Sequence, residues 1–122
     1  MNGLHLSAEF HDCTGEPTWL TDMQRLRAAS VQAVPTTCSP AHTAAQAGGV
    51  TGVVLLAESH LALHTWPELG AVTLDVYVCN RSGDHSEQAR QVMAAMRALF
   101  KPGRTEQRDV IRGAVAPGPA PR

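Results

Sequence analysis

From residue 72 to residue 79 apolar and polar side chains alternate without a break. Val72, Leu74, Val76 and Val78 fall on one side, and Thr73, Asp75, Tyr77 and Cys79 on the other. A period of two belongs to an extended strand with one face buried and one face wet, so the chain must contain a sheet with a dry side. Residues 4–10 repeat the pattern, with Leu4, Leu6, Ala8 and Phe10 on one side. Residues 52–57 are a continuous apolar run, which reads as a buried strand. Leu61 and Leu63 then alternate with His60, Ala62 and His64 up to Trp66-Pro67, giving a half-buried strand.

Two stretches carry helical spacing instead. Thr18 reads as the N-cap of a helix running to about residue 33, with Trp19, Leu20, Met23, Leu26 and Ser30 along one stripe. Ser82 or Asp84 can cap a second helix over about residues 85–100, with Val92, Met93, Met96, Leu99 and Phe100 on its apolar side, stopped by Lys101-Pro102-Gly103. Between these elements, residues 12–17 read as a turn, and residues 34–42 as a strand confined to an edge by Pro35 and Pro40. Residues 44–49 read as a small-residue loop, and residues 109–112 as a short last strand. The expectation is an α+β fold in which one antiparallel sheet is covered on one face by two helices. It forms a single domain over residues 1–113, followed by a disordered tail over 114–122 that holds Pro117, Pro119 and Pro121.

A chain of 122 residues fits one core. With a net charge of −1 and 17% charged residues it has no broad basic face, so nucleic acid and anionic lipid are not expected partners. No apolar run reaches the roughly 18–20 residues of a membrane helix, and MNGLHLSAEF does not read as a secretory signal. Cys13, Cys38 and Cys79 are odd in number and lack a C-x-x-C pair, so neither a disulfide framework nor a zinc ribbon is expected, and a reducing cytoplasm suits them.

The chemically dense stretch is 51–68, where polar reactive groups are set into apolar strands. An unpaired buried polar group costs roughly 1–3 kcal/mol, so several together ask for a use. His60 and His64 share a strand face, but Leu61 follows His60 where a helical zinc-protease motif needs glutamate, and no third ligand has a suitable spacing. Ser59 and His64 could form a nucleophile–base pair, but the G-x-S-x-G elbow is absent. The bland alternative is a strand turn with satisfied histidines.

Glu58-Ser59-His60, His64-Thr65-Trp66-Pro67-Glu68 and Asp75 leading to Cys79 resemble the prokaryotic S-adenosylmethionine decarboxylase family in its small, self-cleaving form. Gly49-Val50-Thr51-Gly52 and the opening His5-Leu6-x-Ala8-Glu9-Phe10-x-x-Cys13 resemble it too, and the likeness covers about residues 3–113. The resemblance implies that the chain cuts itself between Glu58 and Ser59, leaving residues 1–58 and 59–122. Ser59 becomes a covalent pyruvoyl cofactor, which forms a Schiff base with the substrate and takes up electrons that no ordinary side chain can hold. It further implies that His64 is the processing base, that Thr51 supports processing in place of the family's usual serine, and that Cys79 is the proton donor in turnover. Glu68 binds the ribose hydroxyls of S-adenosylmethionine, and the working form is a homodimer with sites lined by both chains.

One departure stands out. Residues 42–49 lack the aromatic residue that in the family stacks on adenine, and Phe10, Tyr77 or a partner residue are the possible replacements. Some members of the family decarboxylate arginine or ornithine, which have no adenine, so these remain the alternative substrates. Glu68 would then meet a cationic group. A non-processing homologue is the reading from a different class.

Overall fold

A computed structural model describes residues 3–33, 42–46, 49–55, 59–80 and 84–112. Among them, six strands form one sheet: β1 (Gly3–Cys13), β2 (His42–Gln46), β3 (Gly49–Leu55), β4 (His60–Trp66), β5 (Ala71–Cys79) and β6 (Pro102–Arg112). Their order across the sheet is β2-β3-β4-β5-β1-β6, and every neighbouring pair is antiparallel. The helices α1 (Met23–Ala33) and α2 (Ser86–Phe100) lie on one face of it.

The alternation read from the sequence decides which face is dry. Leu4, Leu6, Ala8 and Phe10 of β1, Val50 and Val54 of β3, Leu61 and Leu63 of β4, and Val72, Leu74, Val76 and Val78 of β5 are all buried beneath the helices. From α2, Ala89, Val92, Met93, Met96 and Phe100 close over them, and α1 adds Leu26 and Ser30. Phe10 meets Phe100 with ring centroids 6.2 Å apart. Among the described residues, the opposite face of the sheet carries no helix.

Four expectations need correction. Residues 44–46 and 49, expected in a loop over 44–49, belong to β2 and β3, because these strands supply each other a hydrogen-bonded ladder that a run of small residues does not announce. The last strand spans Pro102–Arg112, not residues 109–112, since it pairs with β1 from Gly3↔Arg112 to Cys13↔Pro102. Its charged sequence hides this, yet charges suit an exposed edge strand. Thr18 lies in a 3-10 turn (Pro17–Leu20), and α1 begins at Met23, where Asp22 Oδ1 accepts from the amides of Gln24 and Arg25, each at 3.1 Å. Asp84, one of the two caps offered for α2, stands one residue before the N-cap, which is His85; its Oδ1 accepts from the Ser86 amide at 3.0 Å. Ser82, all of the expected 34–42 strand except His42, Cys38 and the tail over 114–122 lie outside the described residues.

Candidate active site on the open face of the sheet

Alternation along β4 puts His60, His64 and Trp66 on the open face, and along β5 it puts Thr73, Asp75, Tyr77 and Cys79 there. Register then sets their neighbours. Thr51 of β3 stands directly opposite His64, and its Oγ1 lies 3.0 Å from His64 Nδ1. Two residues that the sequence named for separate duties are therefore in contact. The contact engages Nδ1 of an exposed imidazole.

Ser59 is half-buried and precedes β4. The last pair of the β3–β4 ladder is Leu55↔His60, so the ladder closes before Ser59 is reached. Cys79 lies two residues beyond Tyr77, which faces His60, so the thiol stands at the Ser59 end of the sheet, 6% exposed. Glu68 occupies the exposed 3-10 turn (Pro67–Leu69) after the other end of β4. At about 3.3 Å per strand residue, His64 lies roughly 13 Å from the head of β4 and the strand's far end roughly 20 Å from it. One chain thus groups Ser59 with Cys79, and Thr51 with His64, but does not bring the two groups together. Glu58 is outside the described residues.

Several functional contacts went unread in the sequence. His5 Nε2 lies 3.0 Å from Asp75 Oδ1, across β1 and β5. Tyr77 packs between two imidazoles: His60 at 5.8 Å and 31°, and His5 edge-on at 6.4 Å and 80°. The Arg112 guanidinium lies 5.4 Å from the Tyr77 ring centre. Gly3 permits this, because a side chain there would collide with the Tyr77 ring. The only sequence signal for the array was that these residues share a strand parity. Burial pushes His60 below its ordinary value of 6.5, with positive His5 and Arg112 acting in the same direction and Asp75 opposing them. Of the replacements considered for an adenine-stacking ring, Phe10 is excluded, since it is fully buried under α2, whereas Tyr77 faces the open side.

Two further groups complete the surroundings. Thr65 is buried: its hydroxyl accepts from the Val50 amide and donates to the Leu20 carbonyl, both at 2.7 Å, tying β3, β4 and the turn before α1. His11 Nε2 sits 3.2 Å from Glu9 and 3.4 Å from Glu106, and Arg104 reaches Glu106 at 2.7 Å, so the like charges facing each other at Glu9↔Glu106 are offset within the chain. A pyruvoyl group would be made from Ser59's own atoms, and the residues fit it. Ser59 lies outside the ladder, so a break before it costs no strand pairing among the described residues, and a thiol waits at the same end.

The profile of a family described as S-adenosylmethionine decarboxylase matches residues 4–113. An S-adenosylmethionine decarboxylase proenzyme of Parasynechococcus marenigrum is 40% identical over 99 residues, which is 76% of this chain and 73% of that protein. The proenzyme of Methanococcus maripaludis is 41% identical over 70 residues, 57% of this chain and 54% of that one. This chain accordingly spans about half the length of several curated relatives it matches. The crystal structure of the adenosylmethionine decarboxylase from Aquifex aeolicus superposes with a TM-score of 0.78 at 32% identity, covering 98% of this chain and 97% of the other.

Proposed function

The chain belongs to the S-adenosylmethionine decarboxylase family, and from that premise we propose that it is a pyruvoyl-dependent S-adenosylmethionine decarboxylase matured by cutting itself between Glu58 and Ser59. The observation that carries the proposal is the placement of Ser59 outside the ladder, with Cys79 at the same end of an open sheet face that also holds the Thr51–His64 pair.

In maturation, Ser59 Oγ attacks the Glu58 carbonyl carbon, and the peptide C–N bond gives way to an ester. Loss of the Ser59 Cα proton then expels residues 1–58 as a carboxylate, and the nitrogen of the remnant departs as ammonia on hydrolysis. His64, steadied through Nδ1 by Thr51, takes that Cα proton. Once formed, the pyruvoyl group supplies the sink for the electron pair left when carbon dioxide departs. Cys79 holds the proton returned to the product carbon. Glu68 accepts from the ribose hydroxyls.

Ser59 and His64 cannot meet within one chain if His64 stays roughly 13 Å along β4 from its head. The reading is therefore a homodimer in which Ser59 and Cys79 of one chain work with the partner's Thr51, the partner's His64 and the partner's Glu68. The open sheet face leaves Trp66 44% and Leu55 41% exposed, apolar surface that a second copy would cover. In the cytoplasm the product would serve as the aminopropyl donor for spermidine.

The test is carbon dioxide release from carboxyl-labelled S-adenosylmethionine, arginine and ornithine in parallel. Release from S-adenosylmethionine is expected; preference for either amino acid would overturn the substrate and leave the maturation chemistry standing.

A further inference from the structure

Every carbonyl-based decarboxylation begins with a difficulty that the residues named so far do not address. The substrate's α-amino group arrives as ammonium at neutral pH and has no lone pair with which to attack a carbonyl. Something beside Ser59 must first take a proton. Cys79 is assigned as an acid, and the partner's His64 is assigned to the Ser59 Cα proton in maturation.

Resting on the pyruvoyl reading above, we propose that His60 is the base that accepts this proton, and that His5, Asp75, Tyr77 and Arg112 form the array that holds it ready. His60 is the residue directly bonded to Ser59, and its side chain lies on the open face at the head of β4, half-buried against Tyr77 at 5.8 Å. Tyr77 is pinned in turn by the edge of His5 and by Arg112, and His5 is oriented by Asp75 at 3.0 Å. The groups facing His60 come from every strand around it. These are His5 on β1, Asp75 and Tyr77 on β5, and Arg112 on β6; Cys79 and His64 share the same face of the sheet by strand parity, and β3 contributes no titratable side chain. The balance of burial, His5 and Arg112 over Asp75 favours the neutral ring, which is the form a base requires.

The proton balance closes. An N–H bond of the ammonium breaks and an N–H bond on the imidazole forms. When nitrogen takes the place of the keto oxygen, the proton leaves with that oxygen as water, so the imidazole ends as it began.

The test compares two nitrogen nucleophiles on the purified, cut protein. Phenylhydrazine is already unprotonated at neutral pH and needs no base, whereas S-adenosylmethionine does. The readout is the mass of the 59–122 fragment after phenylhydrazine labelling, or after substrate capture with cyanoborohydride. In His60→Gln, labelling is expected at the wild-type rate, while substrate capture slows by about a hundredfold, the usual weight of one general base. Equal slowing of both, or of neither, would overturn the proposal. In the wild type, capture should fall with pH along a limb lying below 6.5. Should His60→Gln not cut, His5→Asn decides. Removing that cation leaves Asp75 unopposed, raises the His60 value and moves the acid limb to higher pH; an unmoved limb would refute the base. Failure of the wild type to react with phenylhydrazine would sink the pyruvoyl reading itself, a distinguishable result.

Discussion

Thr65 sits inside the segment that carries the chemistry, yet its hydroxyl serves the fold. It is 5% exposed and bonds to Val50 and to Leu20, 15 and 45 residues away in sequence. No local pattern could announce such partners, and the Thr51–His64 contact likewise emerges only from the register of β3 against β4, although the motifs named both residues. Thr65→Val keeps the shape and strands the Val50 amide and Leu20 carbonyl, so it should cost about 1–3 kcal/mol in urea unfolding. The reactive residues separate by function instead. Ser59→Ala should remain uncut and inactive, while Cys79→Ala should still cut, at least partly, and turn over poorly. Gel analysis with a carbon dioxide assay distinguishes the two.

The central strands and α2 were readable because burial imposes a period, of two along β5 and of a helical turn along α2. The edges were not. β2 and β6 owe their existence to a neighbour's ladder, and β6 is exposed along most of its 11 residues, so composition alone points to loop. At the end of α2, Phe100 is 1% exposed against Phe10. Phe100→Ala should lose about 3–5 kcal/mol, read as a lowered urea midpoint. At its start, the hydrogen bond from the Ser86 amide holds the Asp84 carboxyl below its ordinary value of 3.8. A lowered folded value gives stability that is present above 3.8 and lost as pH falls through it. Asp84→Ala should therefore lower Tm at neutral pH, and the difference should vanish in acid below that window.

Across the whole molecule the strand order matters most. A break between residues 58 and 59 would place β1, β2 and β3 in one piece and β4, β5 and β6 in the other, yet in the sheet β1 lies between β5 and β6, and β3 lies against β4. The pieces interlock, so cutting need not loosen the fold, and both should elute together under native conditions. The separation of Ser59 from His64 belongs to this scale too, because it emerges only from register and strand length. Co-expressing His64→Ala with Ser59→Ala should restore cutting of the His64→Ala chain, which alone stays largely whole. The mixed dimer pairs its Ser59 with the partner's His64. Cutting that is not restored would argue for action within one chain. The most direct measurement is the intact mass of the purified wild-type protein under denaturing conditions. Two species are expected: residues 1–58, and residues 59–122 lighter by one ammonia than a fragment beginning with serine. A single unbroken chain in active material, or a second fragment that still begins with serine, would contradict it.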